Sequence, residues 1–482
     1  MADATFDVLV LGGGSAGCVL ASRLSEDASR QVCLVEAGPD YGPSAADAWP
    51  EELLDGRLPP TSHDWRDEHG TLPVGRVMGG CSALNMCTLM RGAPDDYAGW
   101  ADVTGDESLT EAGFEPYLQR ALDRMTKRRF GEEELDPWFK GLAAASAEIG
   151  LPVHADGNEP TATEGLGRLP FNLRGTMRWN AAFEYLDPVR DRPNLSIRSG
   201  ALVDRVTLAG SRARGVEVQV DGQRQELLAD LVVVCGGAYG SPAILLRSGI
   251  GPEDALRRLD IAPAAVLPVG EVLREHFGVP VRFAPTDRMA DDFAKHRAHS
   301  DDPSLQGVLK TRTSTCPEGS CDLHLLAAAF PADDGVSLAM SSMLMQADWT
   351  GSVQLRSKDP TELPEVAEFD LAADTDLDRV LEGVSLARRL ASSEALNGLV
   401  AEELAPGADV TREELRSRGR GGLTNYFHPV ATCAMGPISD SSGRIHGFEN
   451  LHVVDASIIP RPLQSSPHLT VLALAERAAE RL

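Results

Sequence analysis

The chain has 482 residues, of which 43% are hydrophobic, and 45 basic against 72 acidic side chains give it a net charge of −27. A chain of this length has room for two or three domain-sized masses around large cores. The acidic balance argues against nucleic acid and anionic membranes as partners, and no apolar run approaches the roughly 18 residues of a membrane-spanning helix. We therefore expect a soluble protein that inserts into no membrane.

The N-terminal segment and the cysteines bear on location and on metals. The first strand begins by about Phe6, which leaves no room for a signal peptide, so we expect a cytoplasmic protein. The eight cysteines form no C-x-x-C pair and no Cys/His cluster, so we expect no metal site. Cys316 and Cys321 lie five residues apart in a polar segment. Whether they form a disulfide stays open, although two reduced thiols are more typical of a chain without an export signal.

A dinucleotide-binding motif opens the chain. Gly12, Gly14 and Gly17 form G-x-G-x-x-G directly after the apolar run 8–11, and Glu36 closes the next apolar run. Gly12 permits a tight turn, Gly14 lets backbone approach a pyrophosphate, and Gly17 lets the following helix pack close to the sheet. Glu36 lies 19 residues beyond Gly17, where an acid accepts a ribose 2′-hydroxyl. Strand, glycines, helix and distal acid in this order predict a dinucleotide site.

Hydrophobic periodicity predicts the elements that follow. In chain order they are an irregular crossing segment at 46–75, helices at 115–125 and 138–149, strands at 195–197, 213–220 and 231–235, a mobile insertion or lid at 286–315, β-structure at 323–356 and a helix at 376–390. Segments typical of a dinucleotide-binding domain thus lie at both ends and in the middle. We therefore expect an α/β protein of two domains woven from discontinuous pieces.

Further motifs resemble those of one enzyme family. They are the glycine-rich segment 75–85, the segment 237–252 after the third buried strand, His428-Pro429 before Thr432–Gly436, the C-terminal stretch 451–470, and the hairpin-like segment 351–357. Together with the first motif, they make the chain resemble the glucose–methanol–choline (GMC) oxidoreductases, which are FAD-dependent enzymes that oxidise alcohols. The resemblance runs from end to end, and the sixteen consecutive residues 237–252 are its most specific part.

The resemblance implies a fold and a division of the chain. A Rossmann-like FAD-binding domain would be interwoven with a substrate domain built on an antiparallel sheet with helices. The FAD-binding domain is expected at 1–100, 195–285 and 425–482, and the substrate domain at 101–194 and 286–424. Ser241-Pro242 predicts a helix start, with the serine as cap and the proline in the first turn.

The resemblance also assigns contacts with FAD. It places the ADP half at Gly12, Gly14, Gly17 and Glu36, the flavin at Gly79, Gly80, Ser82 and Asn85, the adenine at the backbone of Val203, and the pyrophosphate and ribityl chain at Asp455 and Ala456. Some relatives attach FAD covalently through a histidine in the Gly-Gly loop. Leu84 occupies that place here, so we expect non-covalent FAD.

Two histidines are the catalytic candidates. An alcohol is a poor hydride donor until its hydroxyl proton leaves, and histidine has the pKa of a suitable base. The resemblance pairs a histidine with a second histidine or an asparagine, which gives His428 as base and His468 as the residue that binds the alkoxide oxygen. Ser466-Pro467 predicts a helix that begins at His468, and its positive end would lower the basicity of that ring. His428 is therefore favoured as base.

The expected reaction is oxidation of an alcohol to an aldehyde or ketone, with hydride transfer to flavin N5. Reoxidation would use O2 or a quinone or protein carrier, and the sequence leaves this choice open. Pocket residues are expected within 286–350 and among the neighbours of Asn85, such as Met86, and their partly apolar character favours an aromatic or aliphatic primary alcohol over a sugar. Three alternatives stay open: a hydroxynitrile lyase of the same fold with structural FAD, an NAD-dependent dehydrogenase, and a non-catalytic redox-sensing or interaction protein.

Overall fold

The structure is a computed structural model that describes residues 4–159, 164–332, 335–367, 374–407, 410–418 and 422–482. Its strands are β1 (Ala4–Leu11), β2 (Val32–Val35), β3 (Asp64–Asp67), β4 (Gly70–Gly75), β5 (Val153–His154), β6 (Gly165–Arg168), β7 (Leu173–Arg174), β8 (Met177–Arg178), β9 (Leu195–Arg198), β10 (Ala201–Ala209), β11 (Arg212–Val220), β12 (Gln223–Val234), β13 (Phe277–Val279), β14 (Arg282–Pro285), β15 (Leu305–Thr311), β16 (Leu323–Ala332), β17 (Gly335–Leu344), β18 (Ser352–Gln354), β19 (Glu365–Ala367), β20 (Val400–Ala405), β21 (Thr424–Asn425) and β22 (Leu451–Val453). Its α-helices are α1 (Ser15–Leu24), α2 (Glu51–Leu54), α3 (Pro94–Thr104), α4 (Glu111–Arg124), α5 (Pro137–Glu148), α6 (Gly237–Arg247), α7 (Glu253–Arg258), α8 (Asp287–Arg297), α9 (Asp374–Ala391), α10 (Arg412–Arg418) and α11 (His468–Ala479).

The first sheet has seven strands in the order β10-β11-β12-β1-β2-β9, with β22 beside β12. Its centre is parallel: β1 pairs with β2 and β12, and β9 and β22 extend the same direction. The apolar runs 8–11 and 32–35 are fully buried, which is typical of parallel strands covered on both faces. Helix α1 packs against α11, so the two chain ends meet over this sheet.

The second sheet has nine strands in the order β20-β14-β17-β16-β15-β6-β5, with β13 beside β17 and β21 beside β13. It is antiparallel except for the short β5–β6 pair. Helices α5, α8 and α9 pack against it, and Ser342 Oγ on β17 donates to Val380 O on α9 at 2.8 Å. One face of this sheet is therefore covered by helices. No helix within the described part of the chain is both long and apolar enough to cross a membrane.

The α/β fold class is confirmed, and most predicted elements are present with slightly shifted ends. α4, α5 and α9 are the helices predicted at 115–125, 138–149 and 376–390, while β9, β11 and β12 are the strands predicted at 195–197, 213–220 and 231–235. The segment predicted to be irregular, 46–75, contains α2 and the β3–β4 hairpin. β13 and β14 both belong to the second sheet, where β13 pairs with β17 and β21, and β14 pairs with β17 and β20. The five domain boundaries stay a prediction.

Two local predictions are wrong. The segment 286–315 is not a mobile lid, because its β15 lies inside the second sheet between β6 and β16. Some of its polar residues bond each other in the interior: the carboxylate of buried Asp302 contacts His296 Nε2 at 2.9 Å and accepts from Gln306 Nε2 at 2.8 Å. Ser241 does not cap α6, which begins at Gly237. Its Oγ instead accepts a hydrogen bond from Gly236 N at 3.0 Å and holds the turn before the helix.

Candidate active site

The first glycine motif has the tight geometry that its spacing predicts. Gly12 has φ +114°, and a Cβ there would lie 2.4 Å from the carbonyl oxygen of Cys235. A Cβ on Gly17 would lie 1.8 Å from the carbonyl oxygen of Gly12. A Cβ on Gly14 would meet only Gly80 Cα, at 3.9 Å. The first and third glycines are thus required by packing, whereas the second leaves open space beside the start of α1.

Glu36 ends β2 beside this motif. Its buried carboxylate accepts hydrogen bonds from Gly13 N and from Gly38 N, each at 2.7 Å. Burial raises the pKa of Glu36 to about 7, although both backbone donors oppose the shift. A further donor, such as a ribose hydroxyl, would stabilise the ionised carboxylate at this place.

The second glycine loop crosses the first. Gly79 and Gly80 have φ of +93° and +54°, and Gly79 N donates to Gly13 O at 2.7 Å. A Cβ on Gly80 would lie 2.7 Å from Gly14 Cα. A glycine at position 80 is therefore needed for the two backbones to approach so closely. We call the crossing of residues 12–14 and 79–80 the glycine cradle.

The side chains of Ser82 and Asn85 form hydrogen bonds with the protein backbone. Ser82 Oγ donates to Gly79 O at 2.6 Å and accepts from Ala181 N at 3.0 Å. Asn85 Oδ1 accepts from Cys87 N at 3.0 Å. Both residues therefore shape the loop in this structure. Leu84 between them is half-buried, and its hydrocarbon side chain has no atom suited to a covalent bond with a flavin.

The other predicted cofactor residues are also held by protein contacts. Val203 is buried on β10, and its carbonyl oxygen lies 3.4 Å from Arg247 Nη2. The Asp455 carboxylate accepts from Ser457 N at 2.8 Å, from Gly237 N at 2.8 Å and from Ser241 Oγ at 2.6 Å. It therefore ties the end of β22 to the start of α6. A cofactor contact at Asp455 and Ala456 would come from their backbone.

His468 is the first residue of α11, as predicted. Its Nδ1 lies 3.3 Å from Ser15 Oγ at the first residue of α1, so the positive ends of two helix dipoles meet there. Its Nε2 is buried and has no hydrogen-bond partner among the described residues. Burial lowers the pKa of His468 to about 4. An unpaired buried nitrogen beside the glycine cradle fits a site that binds a ligand.

His428 is clamped through its backbone and its ring. Its N–H donates to both oxygens of Glu275, each at 2.7 Å. Its Nδ1 lies 2.9 Å from His276 Nδ1, and the Tyr426 ring centroid is 4.2 Å from its own. Burial, together with the neighbouring His276 and His324, holds the pKa of His428 well below its usual value. The residue as a whole is still partly exposed, and no hydrogen bond within the described chain holds its Nε2.

The backbone around His428 is strained. Phe427 has φ +62° and Ala431 has φ +76°, although neither is glycine. Strain of this kind persists where surrounding contacts fix the backbone, and it clusters at functional sites. His428 and His468 make no direct hydrogen bond or ring contact with each other in the described chain.

Sequence reasoning missed the groups that surround His428. Glu275 and His276 come directly before β13, and both are buried. Two adjacent polar residues entering a buried strand were the signal that could have revealed them. His324 on β16 is also fully buried, but a lone histidine in an apolar strand gives no comparable signal.

Known proteins match this chain over nearly its whole length. Residues 6–278 and 347–475 match two family models that are both described as GMC oxidoreductase. An oxygen-dependent choline dehydrogenase of Paraburkholderia phymatum is 32% identical and covers 100% of this chain and 93% of its own length. The mitochondrial choline dehydrogenase of Mus musculus is 31% identical and covers 98% and 89%. The crystal structure of pyridoxine 4-oxidase from Mesorbium loti is 27% identical, with a TM-score of 0.88 over 99% of each chain.

Proposed function

Because the chain belongs to the GMC oxidoreductase family, we propose that it oxidises an alcohol to an aldehyde or ketone with non-covalently bound FAD. The observation that carries this proposal is the clamp on His428. Glu275 and His276 hold this partly exposed residue, and no hydrogen bond within the described chain holds its Nε2.

The residues that would hold FAD follow from the glycine cradle. The open space at Gly14 and the start of α1 suit a pyrophosphate, and Glu36 suits a ribose hydroxyl. The unpaired Nε2 of His468 also fits a ligand in this region. Leu84 supports non-covalent binding. Bound FAD would supply the acceptor for the hydride that leaves the alcohol carbon.

His428 would accept the hydroxyl proton at Nε2. For Nε2 to carry a lone pair, Nδ1 must carry the hydrogen and donate it to His276 Nδ1, which lies 2.9 Å away. The low pKa keeps the ring neutral, and hence able to accept a proton, at neutral pH. Glu275 fixes the backbone of His428 and thereby the position of the ring.

His468 would position reacting groups and not remove the proton. Its Nδ1 is directed to Ser15, which leaves Nε2 as the atom that reaches a ligand. We propose that Nε2 holds the alkoxide oxygen or the adjoining edge of the cofactor. The helix start at His468 places a positive partial charge at the same point, where it would stabilise negative charge that develops during the reaction.

The proposed electron acceptor is O2, and a quinone or protein carrier is the alternative. The names of the relatives support this choice, since they describe an oxygen-dependent dehydrogenase and an oxidase. We also propose that the protein acts in the cytoplasm. Production of hydrogen peroxide during alcohol turnover supports O2, and reduction of artificial acceptors without peroxide contradicts it.

The proposed function is tested by mixing the purified yellow protein with a panel of alcohols without oxygen. Loss of the 450 nm flavin absorbance with at least one alcohol is the expected result. Acid precipitation should release the yellow cofactor into the supernatant. Bound FAD that no alcohol reduces would contradict oxidation and favour a lyase, and flavin that stays in the pellet would contradict non-covalent binding.

A further inference from the structure

The start of α11 carries His468 but has no side-chain cap of its own. Pro467 is the N-cap residue, and it makes no side-chain capping hydrogen bond. The first N–H groups of a helix have no partner within the helix, so an uncapped start depends on contacts with its surroundings. The contact between the His468 ring and Ser15 is long, at 3.3 Å, and fixes the ring only weakly. Other residues therefore have to hold His468 in place.

Two consecutive residues of α3 contact the chain on both sides of His468. Asp96 Oδ2 accepts a hydrogen bond from Gln464 N at 2.9 Å, four residues before His468. The Tyr97 hydroxyl lies 3.2 Å from Thr470 Oγ1, two residues after His468. The start of α11 thus lies between two side chains of one helix. We call Asp96 and Tyr97 the α3 bracket.

The α3 bracket is itself held firmly. Both of its residues are buried. Asp96 Oδ2 also accepts from Ala93 N at 2.8 Å and so closes the first turn of α3. The Tyr97 ring packs against two other aromatic rings, Trp100 and Phe114, with centroids at 5.4 and 5.1 Å. A tie to such a rigid element fixes the backbone of its partner.

The residue that Asp96 holds is also tied to the second sheet. Gln464 Oε1 accepts from Ser320 Oγ at 2.9 Å and from Cys321 N at 3.0 Å, both in the loop between β15 and β16. Gln464 is therefore held through its backbone by α3 and through its side chain by the second sheet. Loss of the Asp96 contact alone leaves the side-chain tie, so it should displace the chain near His468 without unfolding it.

His428 is held by different residues. It belongs to the histidine cluster, which we define as the rings of His276, His324, Tyr426 and His428. Within the described part of the chain, the α3 bracket makes no hydrogen bond or ring contact with this cluster. Changes in the bracket should therefore reach the reaction through His468 and not through His428.

We propose that Asp96 and Tyr97 are positioning residues that hold the His468 ring, and with it Nε2, in the geometry that the reaction needs. This inference rests on the proposed function, in which His468 Nε2 holds the alkoxide oxygen or the adjoining edge of the cofactor. A misplacement of about 1 Å at a reacting group can cost roughly 100-fold in rate, so a residue that only positions another can still affect the rate.

The test is a pair of double-mutant cycles. Asp96→Asn and Tyr97→Phe are made in wild type and in His468→Ala, and flavin reduction by the preferred alcohol is measured without oxygen. In wild type, Asp96→Asn should slow reduction about tenfold and Tyr97→Phe about threefold, through kcat more than through KM. In His468→Ala, neither change should alter the rate by more than about twofold, because residues that act through one group are not additive.

Two further measurements do not depend on turnover. Both variants should shift the flavin absorbance in the same direction as His468→Ala but by less, and neither should add a shift in the His468→Ala background. Hydrogen–deuterium exchange of the apoprotein should rise in peptides that cover 462–470. The first measurement tests the effect on His468, and the second tests the ties themselves.

Two control variants match the two substitutions. Asp95→Asn changes an exposed carboxylate on the same helix, directly beside Asp96. Tyr117→Phe removes a hydroxyl that donates to Glu480 Oε2 at 3.0 Å, just past the other end of α11. Both controls should keep the wild-type rate, flavin spectrum and exchange at 462–470.

Several outcomes would overturn the inference. Equal losses in the wild-type and His468→Ala backgrounds would show a general structural role and no action through His468. Wild-type rates and spectra in both variants would show no role in the reaction. Tyr97→Phe decides the question if Asp96→Asn fails to fold. If no alcohol reduces the bound FAD of wild type, the proposed function fails, and the spectral cycle with His468→Ala then tests the bracket alone, with the absence of a shift counting against it.

Discussion

The glycine cradle and the histidine cluster are built in opposite ways. The cradle depends on backbone: a Cβ on Gly12 or on Gly80 would collide with a neighbouring main chain, whereas a Cβ on Gly14 would meet nothing closer than 3.9 Å. The cluster depends on side chains from distant segments, with His276, His324 and His428 brought together by the second sheet. Cofactor binding and proton transfer are therefore expected to depend on different residues, so variants of one region should spare the other.

The largest effect is expected in the cradle. In Gly80→Ala, the new Cβ would lie 2.7 Å from Gly14 Cα and force the two loops apart, so the protein should purify without FAD. Gly99→Ala is the matched control, since nothing lies within 4 Å of a Cβ there on α3. Flavin content of the two proteins, measured by absorbance, checks this. Full FAD occupancy in a folded Gly80→Ala protein would show that the crossing does not shape the cofactor site.

The converse effect is expected at the proposed base. His428→Ala should retain FAD, yet reduce it about 10²–10⁴-fold more slowly with the preferred alcohol, the usual contribution of a positioned general base. Stopped-flow mixing without oxygen measures this step apart from the acceptor.

His468→Ala separates the roles of the two histidines. It should slow reduction as well, but it should also perturb the flavin spectrum, because its ring contacts Ser15 beside the cradle. Wild-type rates in His428→Ala with an inactive His468→Ala would reverse the assigned roles. Wild-type rates in both would remove histidine catalysis from the mechanism.

A smaller effect is expected at Glu36. Glu36→Ala removes a charged acceptor, which typically costs about 1.5–3 kcal/mol, or roughly 10- to 150-fold in affinity for FAD. The rate of flavin reduction at saturated sites should stay unchanged. Titration of apoprotein with FAD measures the affinity, with exposed Glu26→Ala as the control. An unchanged Kd would show that Glu36 serves only to hold Gly13 and Gly38.

The sequence predicted the backbone features of the cofactor region better than the side-chain contacts of the histidine cluster. The cradle and the parallel strands follow from local rules, since glycine spacing and apolar runs report directly on backbone. The start of α11 at His468 follows from Ser466-Pro467 for the same reason. The lid prediction was wrong because β15 pairs with β6 and β16 and buried Asp302 bonds His296 and Gln306, which a local pattern does not show.

The histidine cluster depends on strand register, which no local pattern contains. His324 comes near Tyr426 only because β15, β16, β17 and β13 pair in one particular register. The motif around His428 thus predicted the proposed base, while the Glu275 and His276 contacts that hold it had to come from the structure.

The pH dependence of reduction should show the smallest effect. Protonated His428 accepts no proton, but its pKa lies well below the usual 6.5, so protonation begins only in acid. The rate of flavin reduction should therefore stay nearly constant from pH 7.5 down to pH 5.5, where an ordinary histidine would already cost roughly tenfold. The lowered folded pKa values of His428, His276 and His468 make these three groups bind more protons in the unfolded chain below pH 6.5, so they destabilise the fold as pH falls, whereas the raised pKa values of buried Glu36 and Glu275 act in the opposite direction.

Two controls separate catalysis from unfolding and from Glu275. Circular dichroism at each pH shows where the fold is intact, and only those points count. Ionisation of Glu275 near pH 8 should add a shallow rise in rate, because a negative charge beside His428 strengthens the base, and Glu275→Gln should abolish that rise. A tenfold fall in rate between pH 7.5 and 5.5 in folded protein would contradict the low pKa, and it would mean that bound FAD or substrate raises the basicity of His428.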